Sequence, residues 1–373
     1  MATRPLSAGF QSLVDRRAGF LRRLHLDTPL LGGLLLLCAF GLAVLFSAGD
    51  RDLAVVERQL LRLALAFGLM FVLAQVSPDH LRRWSFPLYV LGVLMLLAVL
   101  LFGDVGKGAQ RWLDLGGVRF QPSELLKLAV PMTVAWVLAA RPLPPGLLRV
   151  LAVAALILVP VVLIAKQPDL GTAILVAGAG LTVLFIGGLG WRVIAMTAAT
   201  AGGLAPLLWH HMRDYQRQRV LTFLDPASDP LGSGYHIIQS QIAIGSGGLH
   251  GKGWLNGTQS HLEFLPERHT DFIFAVIGEE FGLFGILVLL ALYLFIIYRG
   301  LVIAVNAPDT YGRLLAGGLS LVFFIYVFVN TGMVTGLLPV VGVPLPLISY
   351  GGTSMVTLMA GFGMLMAIQT HRK

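Results

Sequence analysis

Charged residues are scarce in this chain. Of its 373 residues, 12% are Asp, Glu, Lys or Arg, whereas 56% are hydrophobic. A soluble globular domain carries about 25% charged residues, so this chain has too little charge to cover a water-facing surface of its size. The composition excludes an ordinary soluble protein and indicates one whose surface is covered by a lipid bilayer.

Cysteine is almost absent, because Cys38 is the one cysteine and lies within the first apolar run. An internal disulfide is therefore impossible, and the redox compartment stays open. The sequence contains no cluster of His and Cys residues and no His-Glu-x-x-His motif, so it does not indicate a metal site. A cleavable signal peptide is not predicted, since the run that begins near Pro29 is long enough to be an uncleaved anchor.

Apolar runs long enough to cross a bilayer recur about ten times. We predict an all-α polytopic membrane protein with one domain over 1–373, a cytoplasmic tail at 1–28 and a long loop at 210–271. The predicted spans are 29–48, 59–76, 86–103, 123–140, 147–165, 170–188, 191–209, 272–298, 313–337 and 350–369.

The net charge of +8 comes from arginines and lysines that flank the apolar runs. They form no continuous stripe, which disfavours a nucleic-acid partner. With both termini inside, the inner segments carry more than twice as many basic residues as the short outer ones. The positive-inside rule therefore predicts cytoplasmic termini and an extracytoplasmic 210–271 loop.

Unusual polar residues gather on the predicted outer side, where they suit an anionic polar substrate. Glu124 and Lys127 are three residues apart and share one helix face at the membrane edge. Ionisable groups inside spans are costly and usually functional. The alternative is a purely structural ion pair, with Ser123 as the helix cap and Pro122 before it.

Asp271 directly precedes an apolar run, where a helix cap belongs, so capping and catalysis are equally compatible with the pattern. Glu279 and Glu280 lie about 12 Å deeper along the same helix. We expect these two adjacent carboxylates to be buried with partners and to be structural, although proton movement in a transporter stays open.

Two glycine-rich segments need separate interpretation. The stretch Gly245–Gly253 fails the P-loop pattern, because Ser246 occupies the first required glycine and Gly253 stands where Ser or Thr is needed. We interpret it as a flexible hinge, and a backbone that contacts phosphate is the lesser alternative. The segment 339–352 is apolar but rich in Pro and Gly, so it is predicted to be irregular, buried in protein and beside a cavity.

The same segments resemble the SEDS family (shape, elongation, division and sporulation proteins), and its elongation members more than its division members. The match extends over nearly the whole chain in motif order and spacing. The motifs are KGAQRWLDLGGVRFQPSELLKLAVP, AKQPDLGTA, DYQRQRVLTFLDPASDPLGSGYHIIQSQIAIGSGGLHGKGW, LEFLPERHTDFIFAVIGEEFG and LPVVGVPLPLISYGGTS.

This resemblance implies a peptidoglycan glycosyltransferase at the outer face of the bacterial inner membrane. It would polymerise lipid II into β-1,4 glycan strands during cell elongation and rod-shape maintenance, releasing undecaprenyl pyrophosphate. The family's essential aspartate falls on Asp271, which is expected to be the general base. Substrate-binding roles are expected for Arg111, Glu124, Lys127, Asp169, Gln216, Arg217, Arg219, Glu263, His269 and Ser349.

The resemblance also implies partners. These are a cognate class B penicillin-binding protein, which is the crosslinking transpeptidase, and other membrane proteins of the elongation complex. No cofactor is evident, and a magnesium or manganese ion is left open as an aid to the leaving pyrophosphate. Two other functions stay open: a transporter or flippase for a lipid-linked precursor, and a non-catalytic cell-wall scaffold.

Overall fold

A computed structural model describes most of the chain from residue 24 onward. The described residues are 24–106, 109–114, 119–191, 195–196, 199–200, 202–203, 209–210, 212, 214–226, 229, 232–258 and 267–371.

Helices dominate the described part of the chain, and a small sheet follows the third helix. In chain order the elements are α1 (Thr28–Ala48), α2 (Leu53–Ala74), α3 (Pro78–Phe102), β1 (Asp104–Gly106), β2 (Ala109–Asp114), β3 (Arg119–Phe120), α4 (Pro122–Ala139), α5 (Leu147–Lys166), α6 (Leu170–Ile186), α7 (Asp214–Leu224), α8 (Ser233–Gly247), α9 (Ile273–Val305), α10 (Thr310–Val334) and α11 (Thr353–Thr370).

By length and composition, seven of the described helices are apolar enough to cross a membrane: α1, α3, α4, α5, α9, α10 and α11. Helices α2 and α6 coincide with two more predicted spans, α2 carrying three charges and α6 being shorter. The span predicted at 191–209 falls mainly outside the described residues. The predicted polytopic helical architecture is confirmed.

The bundle has an inner and an outer set of helices. Helices α4, α10 and α11 are largely buried by their neighbours, whereas α3 and α5 present most of their surface to the outside. Helix α10 packs against α4, α6 and α9, and α11 packs against α2. Residues on α4 and α10 are therefore the ones that the fold can place in a shared interior site.

A short sheet lies between α3 and α4. Its strands pair in the order β1-β2-β3, all antiparallel, with Leu113 opposite Phe120 and Asp114 opposite Arg119. The hydropathy of this stretch does not reveal the strands, because they are only two to six residues long. The sheet fixes the backbone around Arg111.

Helix α9 is broken at Gly282, whose φ of 63° lies in the left-handed region. The glycine-rich stretch packs against this break with its backbone. The N–H groups of Leu283 and Phe284 donate to the backbone carbonyls of Gly248 and Leu249. Those of Lys252 and Gly253 donate to the backbone carbonyls of Glu279 and Glu280. The stretch therefore completes the two broken helix ends, and the flexible-hinge interpretation is wrong.

Gly251→Ala is expected to destabilise the protein strongly. Gly251 has a φ of 77°, and an added Cβ would stand 2.1 Å from the carbonyl oxygen of Glu280. The left-handed conformation and the clash together cost at least about 2 kcal/mol. Gly245→Ala in α8 is the matched control, because nothing lies within 4 Å of its added Cβ.

Thermal unfolding of the purified full-length variants in detergent tests this expectation. The alanine at 251 should lower the unfolding midpoint, whereas the alanine at 245 should leave it unchanged or raise it slightly by helix propensity. Equal midpoints for both variants would show that the glycine-rich stretch is loosely packed after all.

The Pro- and Gly-rich segment 339–352 is irregular, as predicted, and its stretch from Leu345 to Ser349 is buried. Its carbonyl groups are bonded by side chains from three helices: Tyr293 donates to Pro346 at 2.7 Å, Gln59 to Ser349 at 3.2 Å, and Asn330 to Val343 at 2.7 Å. These bonds replace the missing helical ones, which is what allows irregular backbone inside a membrane bundle.

Candidate active site

Asp271 lies at the junction between the long loop and α9. The helix begins at Ile273 and its N-cap position is Phe272, so Asp271 precedes the cap position by one residue. The Asn330 side chain of α10 donates to the Asp271 carbonyl oxygen at 2.9 Å. A Cβ added to Gly342 would stand 3.5 Å from Asp271 Oδ2, so segment 339–352 presents bare backbone to the carboxylate.

Segment 339–352 also holds the two residues before Asp271. The Ser349 hydroxyl donates to the Thr270 carbonyl at 2.5 Å and accepts from the Leu345 N–H at 2.7 Å. The Tyr350 N–H donates to the His269 carbonyl at 2.7 Å. Ser349 is buried, so its observed contacts position the backbone beside Asp271.

The Glu124 and Lys127 side chains form a buried ion pair in the first turns of α4. Lys127 Nζ lies 2.7 Å from Glu124 Oε1, and both side chains are less than 10% exposed. The ammonium also lies 5.4 Å from the ring centre of Tyr326, within cation–π range. Glu124 Oε2 is buried and has no hydrogen-bond partner among the described residues.

The predicted cap of α4 is corrected by the structure. The N-cap is Gln121, without a side-chain capping bond, and Pro122 occupies the first turn. Ser123 is therefore inside the helix, where its hydroxyl is not needed as a cap. Proline fits this first turn because its missing N–H would be unsatisfied there anyway.

A second charged group surrounds Asp169 at the start of α6. Asp169 Oδ1 accepts from the Thr172 N–H at 3.2 Å as a helix cap. Its Oδ2 lies 3.5 Å from Arg111 Nε and accepts from Gln121 at 3.3 Å. Arg111 also donates to the Pro168 carbonyl at 2.8 Å. Asp169, the N-cap of α6, thus fixes the side chain of Arg111, which lies in strand β2.

These groups converge on two shared supports. Tyr326, beneath Lys127, and Asn330, beside Asp271, are four residues apart on α10 and so lie on one face, about 6 Å apart along the axis. Segment 339–352 is the second support, because an added Cβ on Gly171 would stand 2.4 Å from the Val341 carbonyl, next to Gly342. One buried framework therefore carries all three charged groups.

Other predicted residues lie elsewhere or cannot be placed. Arg217 donates to the carbonyls of Trp209 and His210 at 3.0 and 2.6 Å, so its guanidinium is bound within its own loop. The side chains of Gln216 and Arg219 and the whole of Glu263 lie outside the described residues. His269 Nδ1 is 3.4 Å from the Ala48 carbonyl, facing α1.

Glu279 and Glu280 are buried and partnered, as expected. Glu279 Oε1 lies 2.7 Å from Lys252 Nζ and accepts from the Thr258 hydroxyl at 3.1 Å. Glu280 accepts from the Ser47 hydroxyl of α1. These contacts tie the broken part of α9 to the glycine-rich stretch and to α1, which supports a structural role.

One histidine outside the spans packs beside the site. The His236 ring of α8 stacks on Phe272, with ring centres 5.6 Å apart. Desolvation by burial lowers the pKa of His236, and the nearby Glu267 and Asp229 carboxylates oppose that shift. Burial therefore favours the neutral form of the His236 ring, which packs against the residue that follows Asp271.

Sequence comparison identifies the family. The family model described as "Cell cycle protein", which groups FtsW, RodA and SpoVE, matches residues 26–373. The chain belongs to this family. It is 56% identical to the peptidoglycan glycosyltransferase MrdB of Escherichia coli K12, over 95% of this chain and 96% of MrdB. It is 36% identical to a probable peptidoglycan glycosyltransferase FtsW of Geobacter metallireducens, over 90% of this chain and 92% of that relative.

Solved structures of FtsW/RodA/SpoVE relatives share the fold. A chain from a peptidoglycan synthase complex, solved in work on the coordination of polymerisation and crosslinking, matches with a TM-score of 0.82. It is 34% identical and covers 93% of this chain and 99% of its own. The rod shape determining protein RodA of Thermus thermophilus matches with a TM-score of 0.70 at 31% identity, over 93% and 98% of the two chains.

Several polar residues at this site were not singled out from the sequence. Asn330 and Tyr326 lie in α10, an otherwise apolar helix, and Arg62 of α2 lies 4.2 Å from the ring centre of Tyr350. The sequence signal that could have found them is that polar groups inside membrane spans are costly and therefore usually functional. This signal applies equally to Asn330, Tyr326 and Arg62. Among the described residues, no group of three His, Cys, Asp or Glu side chains could hold a metal ion.

Proposed function

We infer that this membrane protein is a peptidoglycan glycosyltransferase. The observation that carries the inference is its 56% identity, over nearly the full length of both chains, to the peptidoglycan glycosyltransferase MrdB. The likeness to a rod shape determining protein supports a role in cell elongation and rod-shape maintenance. The substrate would be lipid II, met at the outer face of the inner membrane.

Asp271 is proposed as the general base. A sugar hydroxyl is a poor nucleophile and needs a proton acceptor within hydrogen-bond reach. In the proposed step the position-4 hydroxyl of a GlcNAc attacks the anomeric carbon of a lipid-linked MurNAc. Its proton passes to the Asp271 carboxylate while the bond to the pyrophosphate breaks. Attack from the opposite face converts the α-linkage into a β-1,4 linkage.

The position of Asp271 supports this role. The positive end of the α9 dipole favours its ionised form, which a proton acceptor requires. The Asn330 bond and the Ser349 bond fix the carbonyls of Asp271 and Thr270. The carboxylate is thereby held on rigid backbone beside Gly342, a residue that has no side chain.

Lys127 and Arg111 are proposed to stabilise the leaving undecaprenyl pyrophosphate. Fixed cations in a partly dry site stabilise developing negative charge better than mobile ones do. Glu124 would orient the Lys127 ammonium and offer Oε2 to a substrate hydroxyl, and Asp169 would orient Arg111. Gln216, Arg217, Arg219, Glu263 and His269 stay as expected substrate contacts from the long loop, and Ser349 as a residue that positions the site.

A class B penicillin-binding protein is the proposed partner. The relative in the peptidoglycan synthase complex supports this, because that complex coordinates polymerisation with crosslinking. The partner's transpeptidase would crosslink the strands that this chain makes. Both termini are proposed to be cytoplasmic, with the Asp271 side facing outward, and other elongation-complex membrane proteins would bind the same assembly.

A lipid-precursor transporter is the second candidate. Broken helices mark many transporters, and α9 is broken at Gly282. Against transport, the break is closed by the glycine-rich backbone, and the deep carboxylates Glu279 and Glu280 are bonded to Lys252 and Ser47. A non-catalytic scaffold would not require the charged side chains of the site, so their neutral replacements should leave its function intact.

Polymerisation of purified lipid II separates these functions. The full-length protein is combined with its cognate penicillin-binding partner, whose transpeptidase is blocked by a β-lactam. Long uncrosslinked glycan strands are expected. Movement of intact lipid II across proteoliposomes without any strand formation would favour the transporter. Neither strands nor transport, with the partner bound, would favour the scaffold.

A further inference from the structure

A groove of roughly 540 Å³ lies at the opposite end of the bundle from Asp271. It is formed where α4 and α6 end and α10 begins. Arg313, in the first turn of α10, lies 17 residues before Asn330, which is about 26 Å along the helix. The groove is therefore on the predicted cytoplasmic side of the membrane.

Arg141 and Arg313 both line this groove, and no carboxylate lines it among the described residues. Both arginines are exposed. The acceptors next to the two arginines bond other donors. Arg149 donates to the carbonyls of Arg141 and Pro142 at 3.2 and 2.9 Å, and the Asp309 carboxylate caps the Gly312 N–H at 3.2 Å. Neither guanidinium has a hydrogen bond or ion pair within the described residues.

Apart from Thr310, the other side chains that line the groove among the described residues are apolar. Leu143, Ile186 and Leu314 contribute to the walls, and Leu143 is 37% exposed. All three lie close to the ends of membrane-crossing or apolar helices, on the predicted cytoplasmic side. A groove with two unpaired cations at the membrane edge and apolar walls matches a phosphate that carries a hydrocarbon tail.

We propose that this groove binds the phosphate of an anionic phospholipid from the cytoplasmic leaflet. Arg141 and Arg313 hold the headgroup phosphate, and Leu143 and Ile186 contact the acyl chains. Arginine suits this task because its planar fork bonds phosphate oxygens in pairs. Basic pockets between membrane helices on the cytoplasmic side are known to bind anionic headgroups. The bound lipid would brace the starts and ends of three helices that carry the site at the other face.

Native mass spectrometry of the full-length protein in detergent tests the proposal. Phosphatidylglycerol and phosphatidylcholine with identical acyl chains are offered in turn. Each basic side chain at an anionic lipid contributes about a fivefold gain in binding, so the wild type should prefer phosphatidylglycerol about 25-fold. Arg141→Gln/Arg313→Gln should lose this preference.

Arg82→Gln/Arg83→Gln is the matched control, because these arginines of α3 are exposed on the same side of the bundle and do not line the groove. The control should keep the wild-type preference. Equal preference in the groove variant, the control and the wild type would overturn the proposal, since the selectivity would then come from general surface charge.

Two further arms cover the other outcomes. Millimolar inorganic phosphate should not displace phosphatidylglycerol, because it lacks the acyl chains; full displacement would mean a free-phosphate site and would overturn the lipid assignment.

Arg141→Lys/Arg313→Lys keeps both charges if the Gln pair fails to fold. Retained preference for phosphatidylglycerol in the Lys pair supports charge recognition, and its complete loss in a folded Lys pair would overturn it.

Discussion

Asp271→Asn is expected to reduce glycan-strand synthesis by about 10²–10⁴-fold, the range typical of losing a general base. The amide has nearly the same shape but cannot take the proton from the attacking hydroxyl. The bond from Asn330 goes to the residue's backbone carbonyl, so it survives the substitution. Lipid II polymerisation with the partner's transpeptidase blocked measures the effect, and the unfolding midpoint checks the fold.

Glu267→Gln is the matched control for this experiment. Glu267 is an exposed carboxylate of the same loop, four residues before Asp271, and bonds the Thr270 hydroxyl at 2.9 Å. Removing its charge should leave strand synthesis within a few-fold of the wild type. Wild-type synthesis by a folded Asp271→Asn protein would instead assign Asp271 a structural role and direct attention to Glu124, Asp169 and Glu263 as the base.

The helical architecture follows directly from hydropathy, because each span must satisfy its own backbone in lipid. The ion pair of Glu124 with Lys127 follows from three-residue spacing, and the irregularity of segment 339–352 follows from its prolines. Hydropathy does not predict short strands. The sheet that fixes Arg111 is too short to leave a pattern.

What the sequence could not give is which segments touch. The contact of Gly342 with Asp271 and that of Gly171 with Val341 join residues that are far apart in the chain, and no local pattern encodes them. The glycine-rich stretch illustrates the same limit. Its composition is equally compatible with a hinge and with close backbone packing, and only its hydrogen bonds to broken α9 decide for packing.

Lys127→Met should destabilise the protein by about 3–5 kcal/mol, because it leaves the Glu124 carboxylate charged and unpaired in a buried position. The two side chains are 6% and 8% exposed and are joined at 2.7 Å, so water cannot take the place of the ammonium. A clear drop in the unfolding midpoint of the purified protein is the expected measurement.

The double variant Glu124→Gln/Lys127→Met separates stability from chemistry. Replacing both members of a buried pair by neutral groups of similar size is often neutral or stabilising. The double variant should therefore recover most of the midpoint that Lys127→Met loses. It should still lose about 10²-fold or more in strand synthesis, because the fixed cation for the leaving pyrophosphate is gone.

The pair of outcomes identifies the role of Lys127. A stable, inactive double variant means that the ammonium acts on the substrate and that Glu124 holds it there. A stable double variant with wild-type activity would mean that the pair serves only the packing of α4 against Tyr326 of α10. In that case Arg111 would be the remaining fixed cation, because Asp169, itself bonded by Gln121, holds it at the start of α6. Arg111→Gln should then abolish synthesis.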